Sequence, residues 1–193
     1  SPLTLEDLQK GISTEHLNLE DKWILGKLTQ VTQSVIESLD NYSFDKAALQ
    51  AYDFFWKEFC AYYVEMVKPV LFGKSQTAQH RTNKQRLLVI ALVQSLRLLH
   101  PFIPFITEEL FQRIKTYFNV ESIDDLNIDA WTKDCLEALH SPACIVAPFP
   151  TVSDETFLAP DIEQSFDFVQ KVVYTIRNIR GEMKVPTNSH VDI

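Results

Sequence analysis

Apolar residues recur along this chain at helical rather than strand spacing. Ile24, Leu28, Val31, Val35 and Leu39 follow one another at steps of three or four, which puts them on one face of a helix. Asn18 stands where an N-cap belongs, and Glu20 and Asp21 follow in the first turn, where carboxylates meet the positive end of the helix dipole. A short helix is expected over Leu5 to Gly11. Asp40-Asn41-Tyr42-Ser43 is turn chemistry, with Ser43 as cap of the next helix. That helix should run to about Lys68, where Pro69 ends or bends it. Gly73 to His80 reads as a polar loop. Thr82 reads as the cap of a third long helix over Asn83 to Leu99, whose centre, Leu87 to Val93, is apolar on nearly all sides. Such a helix lies enclosed by others.

The stretch LLHPFIPFITEEL, Leu98 to Leu110, breaks this pattern with two prolines. Pro101 lacks an N–H and disfavours helical geometry at His100, so the buried helix ends there. Phe102, Ile103, Phe105 and Ile106 are then expected to cover the end of the bundle. Thr107 is expected to cap a new helix from Glu108 to about Tyr117. His100 has two readings, a ligand or base, or a hydrogen-bonded group at a helix end. Beyond Tyr117 come an acidic loop at Asp124, Asp125 and Asp129 and a short helix over Trp131 to His140. Ala143 to Ala147 is apolar and lies between Pro142 and Pro148, so it is predicted to be a buried strand. A last amphipathic helix is predicted over Asp161 to Lys184, stopped by Pro186, and His190 to Ile193 alternates like the start of another strand. Strand, helix and strand in that order predict a parallel crossover. The expected fold class is therefore mainly α: a helical bundle over 1–140, then a small β-α-β piece over 141–193 that is cut off at its C-terminal end.

Composition supports helix over sheet, with only four glycines in 193 residues. At 46% hydrophobic and 23% charged residues a core is available. No apolar run approaches the roughly 20 residues of a membrane span, and the chain opens with no basic-then-apolar signal segment. Three cysteines without CxxC spacing argue against a disulfide framework or a zinc site. A cytoplasmic location and no membrane partner are expected.

The net charge of −8 disfavours nucleic acid if spread evenly. It is not spread evenly. Met66 to Thr107 holds no Asp or Glu but carries Lys68, Lys74, Arg81, Lys84, Arg86 and Arg97, whereas Glu108 to Glu163 is strongly acidic. The gap is either chance along a partly buried region or a phosphate-facing patch. The nucleotide-binding, hydrolase and metalloprotease motifs GxxxxGK[ST], GxGxxG, GxSxG and HExxH are all absent. The pairs Glu108-Glu109 and Asp124-Asp125 read as a helix start and a solvated loop. No catalytic residue and no metal ligand is assigned.

Ser43 to Pro69 is unusually aromatic. At about 100° per residue, one broad face gathers Phe44, Ala48, Ala51, Tyr52, Phe55, Trp56, Phe59, Cys60, Tyr62, Tyr63, Met66 and Val67, the expected core side. The opposite face gathers Lys46, Gln50, Asp53, Lys57, Ala61, Glu65 and Lys68, with Phe54 among them. Phe54 either packs under a neighbouring loop or offers a stacking platform for an unpaired base. Arg177, Arg180 and Lys184 share one helix face by their spacing. They form either a solvated or dipole-favoured end, or a second cationic contact.

The phrases LEDKWIL, YDFFWKEFCAYYVEMVKPVL, LLHPFIPFITEELFQ, IVAPFP and IRNIRGEMKVP occur in this order. Together they resemble the anticodon-binding region of valyl-tRNA synthetases, a family of class I aminoacyl-tRNA synthetases, from about Asp21 to the last residue. HPFIPFITEEL and IRNIRGEM are the specific phrases; isoleucyl and leucyl relatives share the fold and vary them. The resemblance implies a helical bundle that follows a catalytic domain. The signatures that hold ATP, its Mg, and the editing domain would lie outside this chain, so the chain alone would be inactive and carry no cofactor. It implies valine tRNA as partner, no DNA, and a monomeric parent enzyme in the cytoplasm. It places Phe54 as stacking surface, Lys46, Gln50 and Lys57 as polar contacts, Arg81, Lys84 and Arg86 on phosphates, and Arg177, Arg180 and Lys184 on tRNA or a neighbouring domain. Ala61 departs from the family, which commonly has an acid there. Two other assignments remain open: the same domain of an isoleucyl or leucyl enzyme, or a helical protein-interaction domain.

Overall fold

A computed structural model describes residues 2–73, 77–123, 127–151 and 156–185. Lys74, Asp124, Asp125, Pro186 and the expected strand at His190 to Ile193 lie outside the described residues. The chain divides into two compact units, Ser1–Leu158 and Ala159–Ile193. The boundary expected at 140/141 falls inside the first.

The first unit is helical. Helix α1 (Leu5–Gln9) is fixed by a capping box in which Asp7 N–H donates to Thr4 Oγ1 and Thr4 N–H donates back to Asp7. Helix α2 (Leu19–Asp40) starts at Asn18, whose N–H donates to Asp21 Oδ2 at 2.9 Å. Its predicted stripe is the buried one: Ile24, Leu28, Val31 and Val35 all lie inside. Next come α3 (Phe44–Asp53), a π-helical segment (Phe54–Tyr63) and α4 (Val64–Phe72), which follow without a break. Pro69 sits inside α4 and does not end it.

Helix α5 (Ala78–Leu99) packs on α1, α2, α3, α4, α6 and α7, which makes it the centre of the bundle. It starts a turn earlier than the sequence suggests, because Thr77 and not Thr82 accepts the His80 N–H. Leu87, Ile90, Ala91, Val93, Leu96, Leu98 and Leu99 are buried along it. Helix α6 (Pro104–Phe118) starts on Pro104 itself, where the missing N–H costs nothing. Thr107 is therefore not its cap. Its hydroxyl donates back to Ile103 O at 2.9 Å and meets His100 Nδ1 at 2.8 Å. His100 is thus bonded across the corner that it begins. The apolar residues of the corner do not cover the bundle end: Ile103, Phe105 and Ile106 are exposed.

Helix α7 (Ala130–His140) is capped by Asp129, which accepts Thr132 N–H at 2.9 Å. The predicted strand at Ala143 to Ala147 is a single 3-10 turn, Cys144–Val146. Val146 N–H and Ala147 N–H both donate to Ala143 O, so these groups are satisfied locally and need no sheet partner. No strand occurs among the described residues; the fold is mainly helical, and the β-α-β expectation loses its first strand. The second unit holds α8 (Pro160–Glu182).

Two polar devices pin the bundle. Lys84 is fully buried and donates to both Asp21 oxygens and to Glu20 Oε1, each at 2.6 Å, while Tyr63 hydroxyl donates to Asp21 at 2.9 Å. Burial pushes the Asp21 carboxyl up against the pull of Lys84, and pushes the Tyr63 hydroxyl well above its ordinary value. Arg97, also buried, pairs with Asp134 and donates to Pro148 O at 2.9 Å, tying α5 to α7 and to the segment beyond it.

Gly26 marks a close approach. A Cβ built there would sit 2.5 Å from the backbone oxygen of Phe157, in the stretch that returns over α2. Gly26→Ala should displace residues 156–158 or cost about 1–3 kcal/mol, as overpacked sites do. Thermal unfolding measures it, and an unchanged midpoint would show that this stretch does not rest on α2.

Candidate nucleic-acid interface

The aromatic helix changes pitch where its aromatics are densest. Val64 N–H donates to Phe59 O, five residues back, in place of the usual four. The buried positions along Ala47, Ala51, Phe54, Phe59, Tyr63 and Val67 step by four, three, five, four and four. The step of five is the π-helical one. It lets Phe59 and Tyr63 continue the buried stripe that Ala47, Ala51 and Phe54 begin at ordinary α-helical spacing, while Tyr52 and Trp56 face outward. Phe54 is 3% exposed, so the expected stacking platform is a core residue. It forms the floor of a cleft of about 290 Å³ between α2 and the aromatic helix, lined also by Lys27, Gln30, Gln50, Asp53 and Glu58. Ala61 lies on the outer surface and does not share a face with Phe54.

The expected core side holds for Ala51, Phe59, Tyr63 and Val67 and is corrected elsewhere. Phe44, Tyr52, Trp56 and Tyr62 are exposed, Trp56 at 59% and Tyr52 at 51%. Tyr52 and Trp56 lie about one turn apart, with Lys46 and Lys57 exposed on the same helix. Lys57 Nζ pairs with Asp53 at 2.9 Å in the open, a contact worth at most about 1 kcal/mol and readily exchanged for another anion. Sequence periodicity missed this ridge, although one signal was present. Phe54, Phe55 and Trp56 are consecutive, and three successive rings cannot all face one way on any helix.

Among the described residues, the cations expected to form a basic patch over Met66 to Thr107 are mostly buried or paired. Lys84 is consumed by Asp21 and Glu20. Arg86 is buried, and its Nε donates to Asp7 O at 2.5 Å. Arg97 is buried against Asp134. Arg81 is half-buried and donates to Gly73 O at 3.1 Å. Lys68 is exposed but paired with Glu65. Lys84 and Arg86 as placed do not reach phosphate, because removing a buried cation from its carboxylates or carbonyl leaves uncompensated polar groups inside. Gln50 is half-buried, and its Oε1 accepts from Ser38 Oγ at 3.0 Å.

In the second unit, Arg177 is exposed and Arg180 half-exposed one turn on. Lys184 lies past the end of α8 in a left-handed conformation, φ 52°. The expected three-residue stripe therefore reduces to two residues on the helix.

Burial pushes the Cys135 thiol up to about 12 and the Cys144 thiol up to about 11, so neither is a thiolate near neutral pH. Among the described residues no cluster of three His, Cys, Asp or Glu could hold a metal ion. No helix among them is long and apolar enough to cross a membrane.

A family model described as the anticodon-binding domain of tRNA ligase matches residues 21–193. Valine–tRNA ligase of Protochlamydia amoebophila is 51% identical over 192 residues, 99% of this chain and 20% of that protein. The valine–tRNA ligase of Chlamydia muridarum is 42% identical over 96% of this chain and 19% of its own length. That of Chlamydia abortus is 37% identical over the whole chain and 20% of its own length. The chain thus spans about one fifth of the relatives it matches.

Proposed function

We propose, from the premise that this chain belongs to the anticodon-binding domain family of tRNA ligases, that it holds the anticodon arm of valine tRNA for a valine–tRNA ligase. ATP, Mg and the aminoacylation and editing sites would belong to the rest of that polypeptide. The observation that carries the reading is the exposed ridge of Tyr52 and Trp56, flanked by Lys46 and Lys57, on a domain that is otherwise acidic. Unpaired loop bases can splay out and stack on such rings, and stacking tolerates a low local charge that phosphate clamping would not. Arg177 and Arg180 supply a cationic contact from the second unit. Phe54 and Gln50 line the cleft on the α2 side of the same helix and are not assigned to the ridge.

The test is a titration of the chain with a valine anticodon stem-loop. Trp56→Ala should weaken binding by about 5- to 150-fold, the equivalent of one lost stack. Lys46→Ala and Lys57→Ala should act mainly through the salt dependence. Binding that is indifferent to Trp56 would remove the ridge from the interface.

A further inference from the structure

Anticodon binding leaves the proline corner unexplained. Pro101 and Pro104 mark the passage from α5 into α6, where Phe105 is 92% exposed and Ile106 is exposed beside it. Ile145, on the 3-10 turn after α7, is 73% exposed and lines the same groove as Phe105, about 580 Å³ in size. Rings and branched side chains held this far into water are uncommon unless something covers them.

The groove has its own chemistry. Glu108 and Glu109 form its rim, Glu108 fixed by the Cys144 N–H at 3.0 Å and by Gln112 at 2.7 Å. His100, which also lines it, is buried, and its Nε2 has no partner. With the Thr107 hydroxyl donating to Ile103 O, its oxygen accepts from His100 Nδ1–H, so in the neutral ring Nε2 is the acceptor.

An acidic rim repels phosphate, which argues against RNA here. A second copy is disfavoured too, since a two-fold contact would set these carboxylates against each other on chains of charge −8. We infer that the corner is an intramolecular docking site for the part of the longer polypeptide that lies outside this chain, which presents an apolar side chain flanked by Lys or Arg and by an N–H donor. The relatives are about five times as long, so there is chain outside this domain to provide such an occupant. The inference rests on the reading that this chain is one domain of such a ligase.

Phe105→Cys in a Cys60→Ser background tests it, since Cys135 and Cys144 are buried. Maleimide labelling should be fast in this chain alone and about tenfold slower in the full-length protein, without tRNA. Equal rates would overturn the inference. Slow labelling in both, with a doubled mass on gel filtration, would assign the corner to self-association. Protection that appears only on adding tRNA would assign it to RNA. The readout needs no tRNA binding, so a failed anticodon titration would leave its result standing.

Discussion

Lys84→Met should lower the stability of the chain by about 3–5 kcal/mol, the usual cost of removing one partner from a buried ion pair. The reason lies in what remains. Asp21 is fully buried and Glu20 mostly so, and both direct oxygens at the Lys84 ammonium. Burial already pushes the Asp21 carboxyl up. Without Lys84 its pKa should rise further, so the folded variant binds a proton that the unfolded chain gives up at ordinary carboxylate pH. The variant's deficit is then small at acidic pH and widens as pH rises through the folded-state pKa of Asp21. Urea unfolding at several pH values reads both effects. Adding Asp21→Asn should restore part of the loss at neutral pH, because an amide needs no cation. A loss below about 1 kcal/mol, flat with pH, would mean that Lys84 is solvated.

Phe54→Ala should cost about 3–5 kcal/mol through the cavity it leaves. Trp56→Ala, two residues on, should stay within about 0.5 kcal/mol of the parent because its ring is largely in water already. The pair separates fold from recognition on adjacent turns. Phe54→Ala should lower the unfolding midpoint, and any protein still folded should bind the stem-loop normally. Trp56→Ala should keep the midpoint and lose affinity. A Phe54→Ala protein of unchanged stability that fails to bind RNA would return that ring to the surface.

Much of the bundle was legible without coordinates. The α2 stripe, the apolar all-round centre of α5 and the helices at Ala130–His140 and Pro160–Glu182 follow from spacing and capping chemistry, which act within a few residues. The family was legible for a related reason: HPFIPFITEEL and IRNIRGEM are contiguous phrases, and the family model matches over both. The candidate site was legible only in part. Lys46 and Lys57 are exposed as expected, whereas the ring beside them was misassigned.

What the linear pattern determined by itself was the helical content, most helix positions and the kinship, since each depends on neighbours in the chain. Four matters were decided only in three dimensions. Which face of the aromatic helix turns inward is set by α2: the buried stripe runs through Ala47, Ala51 and Phe54 into Phe59 and Tyr63, so Phe44, Tyr52 and Trp56 face out. Lys84 meets carboxylates 63 and 64 residues away, so a basic-looking stretch becomes an interior salt bridge. Ala143–Ala147 satisfies its own backbone and forms no sheet. The two prolines end one helix and begin another, but the side to which Phe105 points is set by how α5 and α6 pack, and packing joins residues that the chain keeps far apart.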